Sequence, residues 1–360
     1  MNRRSLLSGL AAFVALAALN GAAKEVAAQT LGLEAKLEDV WLAWRSSNLD
    51  PTGRVIDQLQ QNSSHSEGQG YGMLLAASLG DQRSFDRMET WARLNLAIRS
   101  DNLMAWRWFP DDPVKVPDLN NASDGDLFRA WALLRASRRF NVPEYRETAG
   151  LIVTDLLSSC IAPHPAGDAH DPLLIPGAEG FGTDAGFIYN PCYAMPLAMT
   201  ELATEFDAPA LARAARGGVE VARTLAQDGV VPDWVEVTPT GLRAAEGYSF
   251  DSGYEAMRLP LYLIWSGLRD HPAVHRYAEA QERVAPSLAA TVIDRQTGLA
   301  LATSNDPGYK AISALARCTV RQSVGSQIPR FSTRSPYYPG TLQLFTMIAQ
   351  IEASPMCIPI

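Results

Sequence analysis

A chain of 360 residues, 47% hydrophobic and 19% charged, has the composition of a globular protein and the length for one large core or two ordinary ones. Its formal net charge of −8 excludes nucleic acid and anionic membrane surfaces as natural partners, while neutral polymers stay open. Four cysteines are too few for a disulfide framework; one bridge is possible, and spacing does not say between which pair.

Met1-Asn2-Arg3-Arg4, an apolar run to Leu19 and the small residues of Val26-Ala27-Ala28 form the three regions of a secretory signal. They predict a cleaved leader over 1–28, a single mature domain over 29–360, and a periplasmic or secreted location. Arg3-Arg4 leaves the twin-arginine and the general secretory routes both open. No later stretch approaches the roughly 18 continuous apolar residues of a spanning helix, so the mature chain is expected to carry no membrane span.

From Leu33 onward helical periodicity dominates and strand-like alternation is scarce. Helices are predicted over Glu34–Ser46, Gln69–Leu79, Ser84–Ala97, Asp126–Phe140, Pro143–Ser159, Cys192–Glu205, Ala208–Gln227, Tyr254–Leu268, Ala273–Val284, Lys310–Val320 and Thr341–Ile351, separated by Gly, Pro, Asp and Asn clusters. Helix pairs recurring about every 40–50 residues suggest stacked hairpins. Closed into a ring of six, such hairpins would gather the inner N-termini on one rim, where free N–H groups and the positive dipole end hold carboxylates. The irregular stretches Ser100–Asn121, His164–Tyr189 and Gly229–Ser252 are then expected to form binding loops on that rim.

Three acidic constellations carry the chemical signal. In Ser66-Glu67-Gly68-Gln69-Gly70-Tyr71-Gly72, the Ser66/Gln69 spacing is that of a capping box and puts Glu67 in the first turn. Glycines at 68, 70 and 72 weaken a helix by about 1 kcal/mol each relative to alanine, which implies that something, such as an extended ligand, approaches the backbone. In Ser123-Asp124-Gly125-Asp126 the same spacing makes Ser123 and Asp126 a cap and leaves Asp124 to face a cleft. In Asp251-Ser252-Gly253-Tyr254-Glu255-Ala256-Met257-Arg258-Leu259-Pro260, Ser252 and Glu255 again have capping-box spacing. Arg258 lies on the helix face of Glu255, free to pair with it or to contact ligand, and Pro260 is expected to bend the helix.

Aromatic residues between these acids suit stacking on sugar rings: Trp106 and Trp108, Tyr193, Trp234, and the Tyr337-Tyr338 pair, with Tyr71 and Tyr254 beside the acids themselves. Trp41, Trp44, Trp91 and Trp131 sit inside amphipathic helices and belong to the core. His271 and His275 have i, i+4 spacing, but Pro272 separates them and no carboxylate completes a metal motif, so no metal is expected.

The blocks Ser66–Met73, Ala122–Leu134 and Gly253–Pro260 resemble the three signatures of glycoside hydrolase family 8. Weaker matches at Asn190-Pro191-Cys192-Tyr193, Pro232-Asp233-Trp234 and Ser335–Pro339 follow in order, so the resemblance spans nearly the whole mature chain. The short form is similar to cellulases that accompany bacterial cellulose synthesis. The resemblance implies an all-α (α/α)6 barrel, inverting endo-hydrolysis of β-1,4-glucan, no cofactor, a monomer, and a cellulose synthesis complex as one partner to consider. By motif position Glu67 matches the general acid, Asp124 the carboxylate that engages the sugar beside the scissile bond, and Glu255 the base, with Tyr71, Trp106, Trp108, Tyr193, Trp234, Tyr254, Arg258 and Tyr337 contacting substrate.

Many members carry aspartate at position 255, which leaves Asp251 as a substitute base and chitosan, lichenan or xylan as other substrates. A barrel that binds glucan without cleaving it is the competing reading. Arg129, where the family prefers an apolar residue, is taken as peripheral. Burial beneath substrate and the charge of Asp124 are expected to raise the pKa of Glu67, with Asp124 better solvated and ionised.

Overall fold

The computed structural model describes residues 36–359; the leader expected over 1–28 lies outside the described residues. Helix α1 covers 36–48, followed by α2 (Ser66–Leu79), α3 (Gln82–Asn95), α4 (Ser123–Phe140), α5 (Pro143–Ser159), α6 (Pro196–Glu205), α7 (Pro209–Gln227), α8 (Arg258–Trp265), α9 (Pro272–Gln281), α10 (Pro307–Arg321) and α11 (Tyr337–Ala353). Five of these helices, α5, α6, α7, α9 and α10, begin on proline, whose missing N–H and fixed φ suit a first turn. The predicted helix over Pro143–Ser159 is met at both ends. Those predicted from Cys192 and Tyr254 begin later, at Pro196 and Arg258. Pro260 is the third residue of α8, where the amide has no intrahelical acceptor to lose, so the expected bend has no cause there.

Helices α2, α4, α6, α8, α10 and α11 form the inner ring of an (α/α)6 barrel, and α1, α3, α5, α7 and α9 are the outer helices among the described residues. Both α2 and α11 are buried along most of their length, so they read as continuous apolar or small-residue runs instead of amphipathic stripes. Aromatic side chains fill the axis. Tyr71 meets Phe128 edge-on with centroids 4.6 Å apart and Phe345 at 4.9 Å, and its hydroxyl lies 2.6 Å from that of Tyr262. Removing such a ring from water stabilises the fold by roughly 2–3 kcal/mol.

At the far end Trp131 and Trp265 pack at 5.4 Å, and their indole N–H groups donate to Glu201 and Glu352 at 2.6 and 2.7 Å. Arg135 bridges those two carboxylates and lies 4.2 Å over the Trp131 ring. One end of the axis is thereby sealed, which leaves the rim of inner-helix N-termini as the open end.

Short strands decorate that rim: β1 (Ser64–His65) with β2 (Arg107–Trp108), β3 (Ile161–Ala162) with β4 (Leu173–Leu174), the antiparallel order β5 (Gly182–Thr183), β6 (Gly186–Tyr189), β7 (Val235–Thr238), β8 (Gly241–Arg243), and β9 (Ala289–Ile293) with β10 (Ala300–Ser304). Every residue of β7 is buried, so the alternation that would have marked it in the sequence is missing. Trp41, Trp44, Trp91 and Trp131 are buried as expected.

Arg129 is not peripheral. It is 2% exposed and makes a two-bond ion pair from α4 to Glu89 of α3, at 2.7 and 3.0 Å. Cys318 at the end of α10 is bonded to Cys357, and Cys160 and Cys192 are buried free thiols. His271 caps α9 through its ring, and among the described residues no group of three or more His, Cys, Asp or Glu is arranged to hold a metal ion.

Candidate active site

Strand β1 delivers the chain into α2, and the Trp106 carbonyl accepts from the Ser66 amide at 2.9 Å. The cap is His65, whose Nδ1 accepts from Gly68 N at 3.0 Å, and Ser66 is already the first helical residue. Gln69 does not complete a capping box either; its side chain is buried and binds the backbone of Val55, Gly53 and Met88. Glu67 nonetheless stands in the first turn, with its side chain 18% exposed at the rim.

What approaches the glycines is protein, not ligand. A Cβ on Gly70 would lie 2.9 Å from the Gly125 carbonyl, and one on Gly125 would lie 2.3 Å from Ser66 Oγ and 2.7 Å from the Glu67 amide. Gly72 faces Met88 and Val55 in the same way. Helices α2 and α4 therefore cross at glycine-to-glycine distance, and this crossing sets Glu67 beside Asp124.

Helix α4 begins after Ala122, with the Ser123 hydroxyl donating to the Ile175 carbonyl at 2.7 Å instead of capping. Asp126 turns backward: it accepts from Met104 N at 2.7 Å and from Asn121 Nδ2 at 2.9 Å, fastening the Ser100–Asn121 loop to α4. Asp124 faces the rim with a side chain only 3% exposed, more buried than Glu67, which reverses the expected order of solvation.

Glu255 lies in a turn ahead of α8, not in a helical first turn. Ser252 is paired through its backbone with Ile293 of β9, and the capping role falls to Asp233, which accepts from Gly253 N at 2.7 Å and Ala256 N at 2.8 Å. Asn190 Nδ2 donates to Glu255 at 3.1 Å. Asp251, the alternative, accepts from Arg295 N at 3.3 Å and makes none of the Arg258 contacts of the other acids.

Arg258 gathers the three acids. Its Nη1 donates to Glu67 and lies 3.5 Å from Asp124, and its Nη2 donates to Glu255. The Tyr71 hydroxyl accepts from Nη1 at 2.8 Å, and the Cys192 thiol lies 3.4 Å from Nη2. The guanidinium is 1% exposed and Tyr71 is fully buried, so both support the acids from beneath and neither offers a surface to substrate, contrary to expectation.

Burial, and then the adjacent Glu67 charge, hold the Asp124 carboxyl well above the usual carboxylate range, against the pull of Arg258. The Arg258 pKa lies well above its ordinary value: burial opposes the charge, and the surrounding groups outweigh it. Three carboxylates facing one cation is the charge pattern that retains a proton within the group.

Aromatic side chains flank the acids on two sides. Trp234 stacks parallel to Phe181 at 6.3 Å and packs with Tyr248 at 4.9 Å and Tyr193 at 5.9 Å, and the Arg258 guanidinium lies 5.9 Å from the Tyr193 ring. Opposite, the half-exposed Tyr254 packs on Tyr309 at 5.8 Å, Tyr309 packs on Tyr338, and the Tyr338 hydroxyl donates to the Tyr254 carbonyl. Trp106 is partly exposed where α2 begins.

Two expected contacts lie elsewhere. Tyr337 is fully buried against His65 and Trp44, and Trp108 packs on Trp91 between Arg54 and Lys115. Phe181, Tyr248 and Tyr309 were missed; each sits beside or within one residue of a glycine in a non-helical stretch or helix start, the one signal that marked them.

A barrel closed at one end, with carboxylates around a buried guanidinium at the other and aromatic rings to either side, defines an enzyme that splits glycosidic bonds by acid and base catalysis. Residues 6–352 match the model of Glycosyl hydrolases family 8, and the chain belongs to that family. It is 36% identical over 319 residues to a probable endoglucanase of Novacetimonas hansenii, covering 87% of this chain and 90% of that one. The endo-β-1,4-glucanase CMCax of Acetobacter xylinum superposes with a TM-score of 0.77 at 32% identity, covering 89% of this chain and 99% of the other. Endoglucanase Cel10 of Klebsiella pneumoniae, a family 8 glycosyl hydrolase, gives 0.76 at 27% identity, with 87% and 98% covered.

Proposed function

We propose that the chain is an exported endo-β-1,4-glucanase whose catalytic domain spans 29–360 and which hydrolyses internal bonds of a neutral glucan with inversion. The observation that carries the reading is the gathering of Glu67 and Asp124, from two helix starts, and Glu255, from the turn ahead of α8, onto Arg258, between two aromatic banks. Inversion needs an acid on one side of the scissile bond and a base with a water on the other. Glu67 and Glu255 stand at the two amino ends of one guanidinium, with the more exposed side chains of the three.

Glu67 is the general acid. In its protonated form it gives its proton to the leaving oxygen, and Arg258 Nη1 then stabilises the carboxylate left behind. Asp124 holds a hydroxyl of the sugar beside the scissile bond. Glu255, fixed by Arg258 Nη2 and Asn190, takes the proton from the attacking water. Trp234, Tyr193 and Tyr254 are the platforms for neighbouring sugars, with Phe181 and Tyr309 backing them, and Trp106 borders the acid side.

The Cys318–Cys357 bond supports an oxidising compartment, in line with the signal-like start of the chain. A monomeric state and a cellulose synthesis complex as partner rest on the family resemblance. Release of reducing ends from carboxymethyl cellulose, compared with lichenan, chitosan and xylan, tests the substrate. Glu67→Gln is expected to lower turnover on carboxymethyl cellulose at least a thousandfold with an unchanged circular dichroism spectrum; a fully active variant overturns the acid assignment.

A further inference from the structure

Glu255 belongs to no regular element, so something must hold its turn in place. Asp233 does this through a single oxygen, Oδ1, which accepts from Gly253 N at 2.7 Å and from Ala256 N at 2.8 Å, one donor on each side of Glu255. Asp233 is 9% exposed. The three atoms nearest to a Cβ built on Gly253 all belong to Asp233, with Oδ2 at 2.5 Å, so the glycine is what admits the carboxylate. The next residue is Trp234, the centre of one aromatic bank.

We propose that Asp233 is a positioning residue for the reaction: it locks the turn that carries Glu255, and Gly253 is the vacancy that lets it do so. The inference rests on Glu255 being the base.

The charged and titratable groups around Asp233 are Glu255, Arg258 and Cys192 on the catalytic side, with Tyr193 beyond Trp234. On the other side the Asp251 carbonyl accepts from Asp233 N at 2.8 Å and the Asp251 carboxylate accepts from Arg295 N. The Arg295 guanidinium is directed to the Leu225 and Val230 carbonyls. Burial, with the Glu255 charge behind it, raises the Asp233 pKa to about 6. Ionised Asp233 is the stronger acceptor for both amides, so the lock tightens as pH rises through that value and slackens below it.

Asp233→Ala is expected to lower kcat by about a hundredfold with KM changed less than threefold, the scale of a small misplacement of a reacting group. Asp233→Asn keeps an acceptor oxygen without a charge. It is expected to recover at least a tenth of the lost kcat and to move the acid-side midpoint of the kcat profile downward, because the amide has no titration near pH 6 to slacken the lock. Gly253→Ala pushes the carboxylate aside and is expected to reproduce the kcat loss of Asp233→Ala. The double variant is expected to be no worse than Asp233→Ala alone, since the added methyl then meets no atom closer than 3.4 Å.

A purely structural role would lower the thermal midpoint without lowering kcat in the folded variants and without moving the acid-side midpoint; that pattern overturns the proposal. Glu255→Gln, run alongside, separates the two levels of inference. If it stays active the base assignment fails, whereas an inactive Glu255→Gln together with wild-type kcat and pH midpoint in the Asp233 and Gly253 variants rejects the lock alone.

Discussion

Asp124 and Asp126 stand two residues apart on α4 and do opposite work. Asp124 meets Arg258 at the rim, while Asp126 is sealed behind it between Met104 N and Asn121 Nδ2. Burial raises the Asp126 pKa to about 7. An unfolded aspartate titrates near pH 4, so the folded state holds the extra proton between these values. This contribution to stability is complete below about pH 4 and is lost as pH rises through about 7. The difference in urea midpoint between the wild type and Asp126→Asn is therefore expected to change across pH 4–7 in favour of the variant and to level off above, and a flat difference would place the proton on another group.

Glu67 and Asp124 were legible as residues because motif and helix-start chemistry agreed on them, whereas Glu255, in a turn ahead of α8, was marked by the motif alone. The caps were not: Asp233 displaced Ser252 because it accepts the free amides from a neighbouring segment, a relation that local spacing does not encode, and α2 is capped by the ring of His65, one residue ahead of the serine.

At the scale of elements, the decisive contact is the crossing of α2 and α4. The sequence showed that something must come close to Gly68, Gly70 and Gly72; that Gly70 meets another helix carrying its own glycine, while Gly68 and Gly72 meet side chains of His65, Tyr337, Met88 and Val55, required the partners to be known. Gly125→Ala places a methyl 2.3 Å from Ser66 Oγ, between two backbones that have no slack. It is expected to destabilise the fold by about 3 kcal/mol in chemical denaturation and to lower kcat at temperatures where the variant is still folded, because Glu67 and Asp124 are forced apart. If stability falls and kcat holds, the crossing serves packing alone.

The helices themselves were legible from periodicity, with most ends within a few residues. The strands at the rim were not, since β7 is buried on both faces and β1 and β2 are two residues each.

At the scale of the whole molecule, the Cys318–Cys357 bond ties the end of α10 to the short 3-10 turn Pro355–Cys357 across 39 residues. Chain-entropy arguments give such a link about 4 kcal/mol, and its reduction is expected to lower the thermal midpoint by several degrees while leaving kcat near its original value, because the acids lie at the opposite rim. An unchanged midpoint under reducing conditions would show that α11 holds the terminus unaided.

The ring also has a temporal consequence. Its seam joins the earliest and latest helices, with Trp44 Nε1 donating to Thr341 Oγ1 at 2.9 Å and Tyr71 resting on Phe345. During synthesis all three acids have left the ribosome while α11 is still being made, yet the rings along the axis stay wet until it arrives. A fragment ending before Tyr337 thus retains every reacting side chain and is expected to be inert, since activity awaits the closing of the circle and not the completion of the set of acids.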